Sequence, residues 1–590
     1  MLALCFALKL AVTSRSGGRP ALACHQDKLN NNKTRLGLAE RNMHKKKSTA
    51  ANSGYRFLAP VLLAGAIVSP LAHAISINTG NPDLQINWTT DFRLGMGWRT
   101  EGIASAIGND PTNHQSDYSA ERGDMWKRRL DVLTEMDLVY KDDYGARISA
   151  TGWYDNAYDD HDLKSNPDLR GISAYPDGKL SRTAQRYYNG PSGEILDAFV
   201  FGTFNLGDTP VSAKLGQHSL IWGVSQIDST DAISWNQQPS NLQKGAETPG
   251  ASPKELAMPL PQISFQSQLN EMFSVAGYYH FDWKPNRPSE GGTFLGGPDF
   301  LYAGDGRIFV GSAPGLGNFY INQGEVIEPR DKQKGNFGLQ LNITPQWYSG
   351  TIGLVYRRLD EMQPWPVNFE ADPSDPITGL RFHQVYNRGV DLFGAFTNFN
   401  WKDVSWGAEI SYRRGTALDS TGGPLLNGNL DGATGNTWHG LLNAQASMPK
   451  LPLYDTGVVI AELGYTYLDK VTHNEQVYSN CEDATDGPGC GTRNSSSFSL
   501  VVLPTWLQVL PGVDLTGNLT VAGYGIHGNS PVLMGSAERA FAWATGVTAD
   551  IDMKYKVGLL YSDAVDVEDR VGAMGSTDRG RVTLTFQTSL

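Results

Sequence analysis

A chain of 590 residues has room for two or three soluble domains or for one large membrane barrel. Its formal charge of −12 makes it a poor partner for nucleic acid. Charged residues are only 19%, aromatics reach 10% and there are 65 Gly, yet no run of 18 apolar residues occurs after residue 74, which excludes spanning helices there and favours alternating strands.

The first 74 residues read as a targeting segment. Lys45, Lys46, Lys47 and Arg56 flank the short apolar run Phe57 to Val68, which ends in Pro70 and Ala72-His73-Ala74. This is the pattern of a Sec signal peptide over 43–74, cleaved after Ala74. Residues 1–42 read as an upstream extension, from a start codon placed too early or from a longer leader. Residues 1–74 carry 11 Lys+Arg and 2 Asp+Glu, so their removal takes the charge to −21.

The mature chain, 75–590, opens on period-two alternation. Leu84, Ile86, Trp88, Phe92, Leu94, Met96 and Trp98 share one parity, while Gln85, Asn87, Thr89, Asp91, Arg93 and Arg99 share the other. A helix would scatter both sets around its circumference. The pattern returns at Val132–Tyr140, Phe273–Trp283, Phe337–Ile343, Val404–Tyr412 and Val582–Leu590. Tryptophans on the apolar parity suit a face that meets lipid headgroups.

Short turns are expected near Lys141–Asp143, Gly207–Pro210, Asn270–Glu271, Thr344–Gln346, Asn400–Asp403, Pro449–Thr456, Pro511–Gly512 and Asp552–Lys554, with long polar loops between them. Eight such turns and a strand at each terminus predict an all-β transmembrane antiparallel barrel of about 18 strands, sixteen being the alternative count, with short periplasmic turns and long extracellular loops. A barrel of this size encloses more space than wall side chains fill. Val224–Met258 is the candidate insert, with Trp235, Asn236, Gln237 and Gln238 as the constriction segment; an external loop is the alternative.

Charged residues on the inward parity are the candidate pore lining: Arg93, Glu135, Asp137, Arg147, Lys214, Glu409, Arg413 and Glu462. A charge turned to lipid would cost about 2–4 kcal/mol near the midplane, which forces most of them inward. Because both signs alternate, a salt-bridge network that holds the wall competes with a solute filter as their role. Asp155, Asp159, Asp160 and Asp162 lack the spacing of a calcium loop and read as solvated, with no metal or cofactor expected. Cys481 and Cys490 are expected to form a disulfide in an oxidising compartment. The sequence carries no nucleophile elbow, zinc-protease or phosphate-loop motif, so an enzyme is not expected.

Several ordered motifs resemble the bacterial family called domain of unknown function 1302 (DUF1302). They are Arg129 through Gly152-Trp153-Tyr154-Asp155, Leu196 to Gly202, Leu215-Gly216 with Trp222-Gly223, Pro249-Gly250 with Lys254-Glu255-Leu256, Glu290-Gly291-Gly292-Thr293, Glu409 to Arg413, and Val509 to Gly512. Two positions depart from its pattern: Val224 follows Trp-Gly where members often carry an acid, and the chain ends in Leu590 where such barrels usually end in an aromatic. The resemblance implies a protein of the Gram-negative outer membrane, embedded in its lipid. It also implies as partners a periplasmic lipoprotein-like protein and an inner-membrane exporter of the resistance-nodulation-division type, and with them movement of a hydrophobic, aromatic or lipid-like molecule. A non-transporting adhesin or structural barrel is the alternative function, and a membrane-embedded lipid hydrolase a third.

Overall fold

The computed structural model describes residues 75–302, 306–329, 335–371, 379–422, 429–481, 490–566 and 577–590. The segment expected to be a signal peptide, 43–74, and the extension expected before it, 1–42, lie outside the described residues. Eighteen antiparallel strands close on themselves to form a barrel. In chain order they are β1 Leu84–Arg99, β2 Met125–Tyr140, β3 Tyr144–Asp155, β4 Ser192–Leu206, β5 Thr209–His218, β6 Leu260–Gln268, β7 Phe273–His280, β8 Phe337–Ile343, β9 Gly350–Leu359, β10 Val390–Trp401, β11 Val404–Ala417, β12 Thr434–Ser447, β13 Thr456–His473, β14 Asn494–Leu510, β15 Val513–His527, β16 Ala540–Ile551, β17 Tyr555–Asp566 and β18 Arg581–Ser589. Each pairs with its neighbour in sequence, and β1 pairs with β18 in the register Arg93↔Gln587 to complete the ring. Closure leaves the wall without a free edge, so strand N–H and C=O groups find partners without water.

The two faces of the wall differ as the alternation requires. Trp88 (47% exposed), Leu339 (54%) and Ile410 (54%) point outward, while Arg93, Arg413 and Glu462 point inward and are buried. Trp283 departs from the expected strand pattern. β7 ends at His280, and Trp283 is buried beyond it against Leu260, Met362 and Tyr386.

Eight short connections lie at one rim and the long ones at the other. The long loops pack on one another. Arg307–Ala313, Gly317–Gln323, Pro364–Glu370 and Arg381–Tyr386 form a separate four-stranded sheet that joins two loops. Phe300, Leu301, Phe382 and Tyr175 bury a small core among three of them. Ions lock the first loop to the last: Arg99 contacts Asp117 at 2.8 Å and Asp578 at 3.1 Å, with its side chain fully buried. Cys481 is bonded to Cys490, with Cα atoms 4.8 Å apart.

Within this cap Glu290 is buried, and loss of water pushes its carboxyl up to about 8 from an ordinary 4.5. The protonated form therefore stabilises the folded loop. That contribution is complete below about pH 4.5 and is lost as the pH rises through about 8. Hydrogen exchange of residues 288–301, compared at pH 6 and pH 9 between wild type and Glu290→Gln, is expected to show loosening at pH 9 in the wild type alone. Equal behaviour of the two proteins would refute the assignment.

Candidate functional site

The connection between β5 and β6, residues 219–259, turns inward and crosses the lumen. Its first half is held by the wall of β7–β13 and its second half by β1–β3, nearly opposite in the ring. The two attachments use different chemistry.

The first half rests on an apolar stretch of inner wall. Trp222 and Ile233 pack with Tyr278, Val355, Leu359, Val390, Leu392 and Phe396. Gly394 admits this contact, since a Cβ there would lie 2.8 Å from Ile233 Cγ1. Two wall carboxylates then accept loop N–H groups. Glu409 accepts from Val224, Ser225 (3.1 Å) and Ile233 (2.5 Å). Glu462 accepts from Gln226 (2.8 Å), Ile227 (3.3 Å) and Asp228 (2.6 Å). A turn tight enough to gather these donors needs a left-handed residue beside the first carboxylate, and Gly223 supplies it with φ +92°. Two arginines cap the carbonyl side. Arg413 donates to Thr230 O (2.7 Å) and Ala232 O (3.0 Å), and Arg357 donates to Ile233 O and Trp235 O (2.9 Å). The irregular backbone thus has its N–H groups met by wall carboxyls and its carbonyls by wall guanidinium groups.

The second half is tied by side-chain ion pairs. Glu255, on the short helix Pro253–Leu256, accepts from Arg93 of β1 at 2.8 Å and pairs with Lys244. Lys244 also reaches Asp131 of β2 at 3.3 Å, and Asp131 contacts Arg129 at 3.1 Å. Lys254 meets Glu135 at 2.6 Å. Lys127 donates to Glu247 O and to Thr248 Oγ1 (2.8 Å).

The residues expected to line the pore therefore divide. Arg93, Glu135, Glu409, Arg413 and Glu462 all face inward and all hold the crossing loop. Asp137 sits opposite Arg147 and accepts from its Nη2 at 2.9 Å, a pair within the wall itself. Lys214 faces the open lumen, in register with Phe201 and 5.4 Å from the Phe199 ring. In the segment Trp235–Gln238, Trp235 donates to Glu361 at 3.1 Å, Asn236 accepts from Met362 N–H, and Gln237 and Gln238 accept from Trp222 and Leu220 N–H. Sequence reasoning did not single out Arg357, Lys244 or Lys127. The inward parity of Arg357 with Val355 on β9 was a usable signal, whereas nothing local marks a loop lysine as an anchor.

Between the halves lies a cavity of about 400 Å³, bounded by Ile227, Trp235, Leu242 and Leu256 of the loop, Ile460 of the wall, and Met534 of a loop at the long-loop rim. Among the described residues no cluster of three or more His, Cys, Asp or Glu side chains could hold a metal. Of the acidic run after β3, Asp155 accepts from Ala157 and Arg128 N–H, and Asp159 from Tyr154 and Asn189. The described residues include a hydroxyl–imidazole–carboxylate chain: Thr437 Oγ1 lies 2.8 Å from His439 Nε2, and His439 Nδ1 lies 2.9 Å from Asp231. Thr437 is 0% exposed, which denies it a substrate, and Asp231 belongs to the crossing loop, so the chain acts as a further tie.

Among solved structures the chain is similar to the outer membrane channel DcaP of Acinetobacter baumannii, at 10% identity over 86% of this chain and 97% of that one, with a TM-score of 0.34. It is similar also to OccAB1 of Acinetobacter baumannii (10% identity, 86% and 96% covered, TM-score 0.40) and to OpdK of Pseudomonas aeruginosa, solved with vanillate (10%, 85% and 98%, 0.36). No curated protein matches. Four of the motifs that resemble the family fall at the joints of the crossing loop: Trp222-Gly223 and Glu409–Arg413 at one attachment, Lys254-Glu255-Leu256 and Arg129–Asp131 at the other. The model of the family described as protein of unknown function (DUF1302) matches residues 56–590, and the chain belongs to that family.

Proposed function

We propose that this protein is a channel of the outer membrane that passes a small, largely apolar molecule through a lumen narrowed by the loop 219–259. The observation that carries the reading is the crossing loop, stapled at both ends, with a cavity left between its halves. A wall with an apolar outer face and a closed ladder suits a bilayer, and a barrel of eighteen strands is wide enough for a path. The apolar side of the cavity between the loop's halves, built by Ile227, Trp235, Leu242 and Leu256, favours an apolar solute. In this reading a periplasmic lipoprotein and an inner-membrane exporter would meet the barrel at its short-turn rim.

The test is single-channel conductance of the refolded barrel in a planar bilayer, with liposome swelling for neutral solutes. Discrete steps and uptake of small apolar solutes are expected. A barrel that inserts and stays sealed to every solute would overturn the proposal.

A further inference from the structure

The cavity between the loop's halves has a composition that selects its occupant. Its apolar side is Ile221, Ile227, Trp235, Leu242, Leu256 and Met534. Its polar side is almost entirely neutral amides and hydroxyls. Among the described residues the one charged group in the lining is Asp228, whose Oδ1 already accepts Thr230 N–H at 2.8 Å, and no Lys, Arg or His lines it.

The amides share an arrangement. Asn236 Oδ1 accepts Met362 N–H at 3.0 Å, Gln238 Oε1 accepts Leu220 N–H at 2.9 Å, and Asn286 Oδ1 accepts Ser240 N–H at 2.8 Å. With the carbonyl ends fixed on backbone, the NH₂ ends are the groups left over. The donors Asn236 Nδ2 and Gln238 Nε2 are buried and have no hydrogen-bond partner among the described residues, and both residues line the cavity at 7% and 9% exposure. A buried donor without a partner is costly, and an acceptor brought by a ligand removes that cost.

We infer that this cavity is a binding site for a neutral amphiphilic molecule with an apolar ring or chain body and one hydrogen-bond-accepting oxygen, received by the amides of Asn236 and Gln238. The volume suits a small molecule of that kind. An anion would find no cation here and would face Asp228. A cation would meet the donors of Asn236 and Gln238, and the one carboxylate at hand, Asp228, already accepts Thr230 N–H. The inference rests on the channel reading and names the class of molecule that the constriction selects.

Equilibrium dialysis of the purified full barrel, against matching detergent micelles, with 9-fluorenone, fluorene and fluorene-9-carboxylate separates the alternatives. Fluorenone should be retained about tenfold more tightly than fluorene, the difference of one hydrogen bond in a buried site. Fluorene-9-carboxylate should not be retained. Gln238→Glu and Asn236→Asp keep the acceptor that faces backbone and remove the donor, so each should bring fluorenone down to the level of fluorene. Leu256→Trp fills the cavity and should abolish retention of both. Equal retention of fluorenone and fluorene, preference for the carboxylate, or indifference to all three variants would overturn the site. Conductance of the same preparation keeps the two readings apart: an open barrel without fluorenone binding overturns the site alone, and a sealed barrel that binds fluorenone overturns the channel alone.

Discussion

Replacing Glu409 and Glu462 together by alanine is expected to raise single-channel conductance while leaving the barrel folded. Between them the two carboxylates accept six N–H groups of the crossing loop. Removing them strands donors that are buried against the wall, at about 1–3 kcal/mol for each donor left unmet. Two such losses, about 2–6 kcal/mol together, shift the loop's attached and released populations by roughly 1.5 to 4 powers of ten. Arg413 and Arg357 would lose the order of the carbonyls they cap, so the first half of the loop would lift as a unit. Hydrogen exchange over 223–233 should rise in parallel, with the β-sheet circular dichroism unchanged. Glu409→Gln, which keeps one acceptor oxygen, should fall between wild type and the double variant. A double variant with wild-type conductance and wild-type exchange would show that the apolar contacts of Trp222 and Ile233 hold the loop by themselves.

The second large effect concerns Glu255. Its side chain is 1% exposed and it joins Arg93 and Lys244, both about as buried. Glu255→Ala leaves two cations facing each other without their shared carboxylate, which costs about 3–5 kcal/mol in a buried site. The loss should appear as reduced protection of residues 242–258 and a lower melting temperature of that segment. Lys254→Ala provides the comparison. Its ion pair with Glu135 is as short, 2.6 Å, but Lys254 is 44% exposed, so its loss should cost less than about 1 kcal/mol. If the two variants proved equal, burial would not be what makes the Glu255 hub strong. Adding Arg93→Met to Glu255→Ala removes the stranded cation, Lys244 keeping its pair with Asp131, and should recover part of the loss.

The wall was legible because lipid on one side and a polar interior on the other impose period two, and closure forbids exceptions. Leu94 and Met96 outside, and Arg93 between them inside, follow from that rule alone. The turns were legible for a related reason: Pro511-Gly512 and Gly207-Asp208 join strands directly, and few residues permit so short a reversal. Trp283 shows where the rule stops, since parity continues on paper past His280 while the strand does not. The loop sheet formed by Gly317–Gln323 and Arg381–Tyr386 could not be read, because its strands are short and each is completed by a partner far along the chain.

The candidate site divides in the same way. That Glu409, Arg413 and Glu462 face inward is a matter of parity, and the residues themselves determine it. What they face depends on the path of a loop some two hundred positions earlier in the chain, which no local pattern encodes. Only the folded chain brings Val224 N–H to Glu409, Glu255 to Arg93 and Asp231 to His439. The sequence by itself determined the barrel and the polarity of each face, and narrowed the strand count to sixteen or eighteen, because those depend on spacing and on the solvent that each parity meets. The tertiary structure alone decided that the inward charges are fasteners of a crossing loop, because whether a buried carboxylate serves a solute or a backbone amide depends on which group arrives beside it.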